Sequence, residues 1–227
     1  MKKFLFLLPL LAIISCDKTD TENSGNAQYN SRGCLECDNY TAGESFLLDG
    51  IRYKVADNAA LTRAIEGDVD LTKYCTSKIV DMSFLFQGAY ISNQNISSWD
   101  VSNVTNMSFM FEGAQSFNQD IGNWDVSNVT DMSIMFDYAE SFNQDIGNWD
   151  VSNVTFMNSM FWYASSFNQN IGNWDVSNVT DMGGMFFAAG SFNQDLTQWC
   201  VSQFTTMPNN FSLSASTANH PVWGTCP

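Results

Sequence analysis

The residues of this 227-residue chain whose types and spacing could do chemistry are six cysteines, one histidine, a column of tryptophans and several columns of aspartates. Cys34-x-x-Cys37 has the spacing of a redox pair or half a zinc site, but no second CxxC and no His cluster completes a zinc site. Nothing nearby resembles a thioredoxin unit. His220 is the sole histidine and lies in the tail, so no Ser/His/Asp or Cys/His set can be assembled around it. A carboxylate pair such as Asp120/Asp125 suits general acid–base work, yet it recurs from unit to unit, which folding explains better than catalysis. Asp100, Asp125, Asp150 and Asp175 share one slot and would stand about 5 Å apart if their units stack, repelling one another. Either turn N–H groups donate to them or Ca²⁺ intercalates. No EF-hand-like spacing is present, and turn capping is the favoured reading. Trp99, Trp124, Trp149, Trp174 and Trp199 would stack sugars if exposed, but their slot between Ile and Val points to a core. Met107, Met132, Met157 and Met182, with Met110, Met135, Met160 and Met185, read as core filler rather than a soft-metal site. The chain is therefore expected to be no enzyme, and to carry no cofactor unless the Asp column takes calcium.

Charge narrows the partners. The chain has 9 Lys+Arg against 24 Asp+Glu, a formal net charge of −15, and its last basic residue is Lys78. From Ile79 to Pro227 there are thirteen acidic residues and no Lys or Arg. Such a surface repels phosphate backbones and excludes nucleic acid. A hydrophobic content of 44% is enough to bury a core.

Met1-Lys2-Lys3, the apolar run Phe4–Ile14 and Ser15-Cys16 form a signal peptide over 1–15, too short for a membrane span. Ala12-Ile13-Ile14-Ser15-Cys16 resembles a bacterial lipobox, which implies that Cys16 is lipidated and anchors the chain to a membrane. Residues 16–33 then read as lipidated Cys and flexible tether. Asp17 and Asp20 resemble a surface-export signal of some Gram-negative lineages, so the expected location is the outer membrane, facing outward.

The elements that must position all these residues are repeats. The string SFNQDIGNWDVSNVT starts at Ser116, recurs unchanged at Ser141 and returns at Ser166 with Asn170 for Asp. The 25-residue period gives six units over 66–215. Val129, Met132, Phe136 and Ala139 have helical spacing, with Asn128 and Asp131 as an N-capping pair. Asn118–Gly122 reads as a short strand. The expected fold is α/β: a curved solenoid of six strand-turn-helix repeats. Its N-terminal cap covers 34–65, with an Asp49-Gly50 hairpin and a helix capped by Asp57 or Asn58. Residues 216–227 form the C-terminal cap tail.

The pattern FNQDIxxWDVSNVTxMxxMFxxA resembles the BspA-like, leucine-rich-repeat-type surface proteins of bacteria, also described as a Mycoplasma-type lipoprotein repeat. The resemblance covers about 66–227, and Trp199-Cys200-Val201 through Pro227 looks like the family's C-terminal cap. It implies a surface or secreted protein that contacts an extracellular protein or glycan ligand. Cys75 and Cys200 share one slot five repeats apart, roughly 24 Å at strand spacing, too far for a disulfide. Each must pair locally, Cys200 with Cys226 and Cys75 with Cys37 or Cys34. Related caps often carry a single Cys at the position of Cys37, which favours Cys37 and leaves Cys34 as the odd thiol.

Comparing the units locates a candidate binding face. The slot of Ile134 holds Phe109, Ser159 and Gly184 elsewhere; that of Asp137 holds Glu112, Trp162 and Phe187; that of Tyr138 holds Gly113, Tyr163 and Ala188. Phe109, Ile134, Tyr138, Trp162, Tyr163 and Phe187 are expected on the helix exterior as an aromatic band contacting a partner. The expected function is a surface-anchored, non-catalytic repeat scaffold for adhesion or protein–protein binding. The alternatives are a glycan-binding module and a periplasmic envelope scaffold.

Overall fold

The computed structural model describes residues 27–90, 92–212 and 219–227. The signal peptide, Cys16, Asp17 and Asp20 lie outside the described residues.

The N-terminal cap is built from two small sheets. β1 (Gln28–Tyr29) pairs antiparallel with β2 (Leu35–Glu36). β3 (Ser45–Leu48) and β4 (Ile51–Val55) form a hairpin. Its turn residues Asp49 and Gly50 sit at φ 52° and 76°, the left-handed geometry that matches strand twist in a two-residue hairpin loop. Asp57 caps α1 (Asn58–Glu66), its carboxylate accepting from the Ala60 N–H at 2.6 Å. A single 3₁₀ turn, Leu71–Lys73, leads into β5 (Tyr74–Cys75), which pairs parallel with β4. Phe46, Leu48, Tyr53 and Val55 alternate inward, and with Leu35, Cys37 and Cys75 they make a small core of their own. Two expected boundaries therefore move. The hairpin of β1 and β2 straddles the expected junction at 33/34, and β5, assigned by period to the first repeat, completes the cap's sheet.

The repeated region does stack unit on unit, but its backbone path differs from the expected one. Among the described residues α1 is the one α-helix, and no strand forms over Asn118–Gly122. Instead the segment Met132–Ala139 is a chain of linked turns. The N–H groups of Met132, Ile134, Phe136 and Tyr138 donate to carbonyls of the next unit, at Phe156, Asn158, Met160 and Trp162, over 2.8–3.0 Å. The alternate N–H groups of Met135, Asp137 and Ala139 turn back to Met132, Ile134 and Phe136. Every second donor is thus committed to the neighbouring coil, and none is left to run the i→i−4 ladder of a helix. Linked three-residue turns bring residues three and four apart onto one side, as a helix does, which is why the apolar spacing suggested one. The residue types fit turns better, because β-branched Val and Thr with Asp and Ser are poor helix formers. Parallel bridges between coils fall at Asp81, Asn106, Asp131, Phe156 and Asp181, immediately before this segment.

Two ring ladders fill the core. Phe86, Phe111, Phe136, Phe161 and Phe186 follow one another at 5.2–5.6 Å. Phe117, Phe142, Phe167 and Phe192 do so at 5.8–6.0 Å, interleaved with the first column at 4.0–4.1 Å. The eight repeat methionines are fully buried among them. Each ladder Trp is buried too, and its indole N–H donates to a carbonyl of the preceding coil, Trp124 to Ile96 and Trp149 to Ile121 for example.

Candidate contact face

The polar residues repeated in every unit are absorbed by this construction. Asp125 accepts from the Ser127 N–H and hydroxyl, Asp131 from those of Ser133, and Asp120 from the Gly122 N–H. The unit 116–140 therefore holds three such side-chain turns, and the unit 141–165, with Phe156 in the slot of Asp131, holds two. Asp150 shows the electrostatic consequence: the Ser152 hydroxyl, then the Ser152 N–H, holds its carboxyl below the ordinary value. Asn118 passes its side-chain oxygen to the Asn143 N–H, Asn143 to Asn168 and Asn168 to Asn193, all at 2.9 Å. Thr130 donates through both N–H and hydroxyl to the Thr105 carbonyl. These coil-to-coil donors were not singled out from sequence, although their exact recurrence every 25 residues was the available signal. Among the described residues no three His, Cys, Asp or Glu side chains gather as a metal ion would need.

Two disulfides close the ends. Cys37 is bonded to Cys75 with Cα atoms 6.4 Å apart, and Cys200 to Cys226 with Cα atoms 4.0 Å apart. Cys34 is buried and belongs to neither.

What the repeat does not absorb is one outward strip of the linked turns. Three neighbouring columns make it: Phe84, Phe109, Ile134, Ser159 and Gly184; Gln87, Glu112, Asp137, Trp162 and Phe187; Gly88, Gly113, Tyr138, Tyr163 and Ala188. Phe84 stacks on Phe109 at 4.7 Å, Tyr138 on Tyr163 at 4.6 Å, and Trp162 on Phe187 at 4.0 Å. Tyr163 lies 6.0–6.3 Å from Trp162 and Phe187, so the last two columns join. Trp162 also lies across the bare backbone of Gly184, where a Cβ would meet its ring at 2.6 Å. All six expected patch residues fall on this strip, with two corrections. The strip is formed by turns, not by a helix exterior. Only Tyr138 and Tyr163 are exposed, at 43% and 40%, whereas Phe109, Ile134, Trp162 and Phe187 are half-buried against their neighbours. Phe84, 50% exposed, belongs to the strip and was missed because its unit is degraded in sequence.

The backbone under the strip is unusual. Phe84, Phe109, Ile134 and Ser159 have φ of 53–61°, and Tyr138, Tyr163 and Ala188 have φ of 53–56°. This left-handed region costs an L residue about 1–2 kcal/mol, and bulky or β-branched side chains avoid it. Glycine fills the same columns at Gly88, Gly113 and Gly184, with φ of 68–69°.

Asp137 is the electrostatic anomaly of the strip. Burial, then the Glu112 carboxylate in the preceding coil, pushes its pKa up to about 7. Its Oδ1 is enclosed without a hydrogen-bond partner. The Tyr138 phenol beside it is raised as well, by desolvation first and then by Tyr163, Asp137 and Glu140.

A family model described as "Mycoplasma protein of unknown function, DUF285" matches residues 56–162 and again 144–223. No curated protein matches this chain, and no solved structure does.

Proposed function

The chain belongs to that Mycoplasma-type repeat family, and on this premise we propose that it is a surface-anchored, non-catalytic scaffold that binds a partner through its aromatic strip. In this proposal its stack is a solenoid of the BspA-like, leucine-rich-repeat type in which linked turns replace the helix. Cys16 carries the lipid, and the repeats stand outside the membrane at the end of the tether. Among the described residues no helix is long and apolar enough to cross a membrane. The outer-membrane, Gram-negative placement rests on Asp17 and Asp20 alone. The family description names Mycoplasma proteins, and the lipid at Cys16 is a part of the proposal that needs no outer membrane.

The observation that carries the binding role is the strained strip. Phe84, Phe109, Ile134, Tyr138 and Tyr163 hold left-handed backbone in columns where sister units use glycine. Folding alone would favour Gly or Asn there. Large side chains kept at a conformational cost on an exposed face fit a surface selected for contact.

Protease shaving of intact cells, with mass spectrometry of the released peptides and of the Cys16 lipid, tests the proposal. Release of peptides from 79–227 with Cys16 lipidated supports it. Protection of that segment on intact cells sinks the adhesion role and favours an envelope scaffold. Glycan binding is the second reading, favoured by the exposed Tyr138–Tyr163 stack. A glycan-array signal lost in Trp162→Ala and retained in a folded variant of the buried ladder would select it over protein contact.

A further inference from the structure

The strip's own chemistry narrows what can dock there. Three carboxylates border its rings: Glu112 and Asp137 in the column that continues into Trp162, and Glu140 two residues beyond Tyr138. Glu112 accepts from Gln87, and Glu140 from Gln115 at 3.2 Å. Among the described residues the ion pairs are Arg32–Asp125, Lys73–Asp70 and Lys78–Asp38, so none of the three bordering carboxylates meets a cation. Beside them stand the rings of Tyr138 and Tyr163, stacked on each other, and those of Trp162 and Phe187, stacked likewise. Aromatic faces attract cations electrostatically, and a guanidinium both stacks on rings and donates a planar fork to carboxylates. An arginine thus answers both features at once, where an apolar side chain would leave the acids uncompensated and an anion would be repelled.

We propose that the aromatic strip takes an arginine-bearing segment of a partner protein, its guanidinium laid against the Tyr138, Tyr163 and Trp162 rings and its N–H groups donated to the Asp137 and Glu140 carboxylates. The proposal rests on the binding role given above and names its chemistry.

The test uses the full purified chain and an end-blocked tetra-arginine peptide, followed by calorimetry at low salt, with tetra-citrulline as the uncharged isostere. Saturable binding of tetra-arginine is expected, with none of tetra-citrulline. Trp162→Ala with Tyr163→Ala should weaken it about tenfold, and Asp137→Asn several-fold. The control is Asp145→Asn, which removes the same charge away from the strip at a slot where Asn170 shows that Asn is tolerated. It should change affinity less than about twofold. Unchanged melting temperatures show that the variants fold. Absence of saturable binding, equal binding of tetra-citrulline, or an equal loss in Asp145→Asn and Asp137→Asn each overturns the proposal. The last would reduce it to diffuse attraction by an acidic surface. Shaving of cells reads exposure independently. Protected cells with specific peptide binding would fail the surface role alone, and exposed cells without it would fail the arginine site alone.

Discussion

Each coil carries an inward strip and an outward strip on the same run of linked turns, and the two obey different rules. The inward strip repeats Phe, Met, Trp and Val almost without change, and these side chains are 0–4% exposed from Trp99 to Trp199. The outward strip changes at every unit and includes residues that its backbone disfavours. Both strips share one hydrogen-bond framework, so the framework does not dictate the difference. One set of side chains is held by packing that tolerates little loss, while the other packs only in part, ring on ring between neighbouring coils.

Breaking this comparison starts with two tryptophans. Trp124→Ala should cost about 3–5 kcal/mol, since it opens a cavity in the middle of the ladder and removes the indole hydrogen bond to the Ile96 carbonyl. Trp162→Ala, on the half-buried outer strip, should cost about 1 kcal/mol or less. Urea unfolding of the two variants decides, and equal losses would mean that the strip is a second core. Glycines give the next effect. A Cβ on Gly122 would stand 2.5 Å from the Asp145 carbonyl, so Gly122→Ala should cost about 1–3 kcal/mol. A Cβ on Gly190 meets nothing within 4 Å, and Gly190→Ala should be neutral or stabilising by a few tenths of a kcal/mol, about what lost chain entropy supplies.

The path of the backbone was the least legible part of the sequence. The period, the buried Trp and Met columns and the Asp49-Gly50 hairpin follow directly from residue types and spacing, whereas the cap's edges at 33/34 and at β5 did not. The helix over Val129–Ala139 did not form, because apolar residues three and four apart mark one side of linked turns as well as one face of a helix. The left-handed positions were written in the columns all along. Gly113 beside Tyr138, and Gly184 beside Ile134, show that each slot accepts a residue without a side chain. Read as a variable binding face, those substitutions hid their conformational meaning. The half-burial of Trp162 was not legible at all, because it depends on the bare backbone of Gly184, three residues before its own slot in the next coil.

Two smaller effects sharpen the comparison. Asp137 has its folded pKa raised to about 7, chiefly by burial and then by Glu112. The native state therefore binds a proton that the unfolded chain has released above its ordinary carboxyl pKa, so stability should fall as pH rises between about 4 and 7. Asp137→Asn should remove that part of the slope and be the more stable variant at pH 8, as pH-dependent melting can show. The smallest effect is expected from Tyr138→Gly with Tyr163→Gly. Relief of two left-handed positions offsets the loss of one ring stack, leaving stability within about 1 kcal/mol of the parent. A loss above about 2 kcal/mol would show that these rings hold the coils together and would remove the argument that they are kept for contact.

The alternation of N–H groups between a coil and its successor has a consequence for how such a chain can change length. Each coil presents to the next one the same row of donors that it received as acceptors, so an added copy of 141–165 meets matching partners at both new joints. An in-frame duplication would lengthen the molecule by one coil, about 5 Å, and leave both disulfide-closed ends untouched. It would also add one more slot in each outward column. The architecture therefore lets a lineage vary the length and the outward surface of this protein in whole steps, without passing through an unfolded intermediate design.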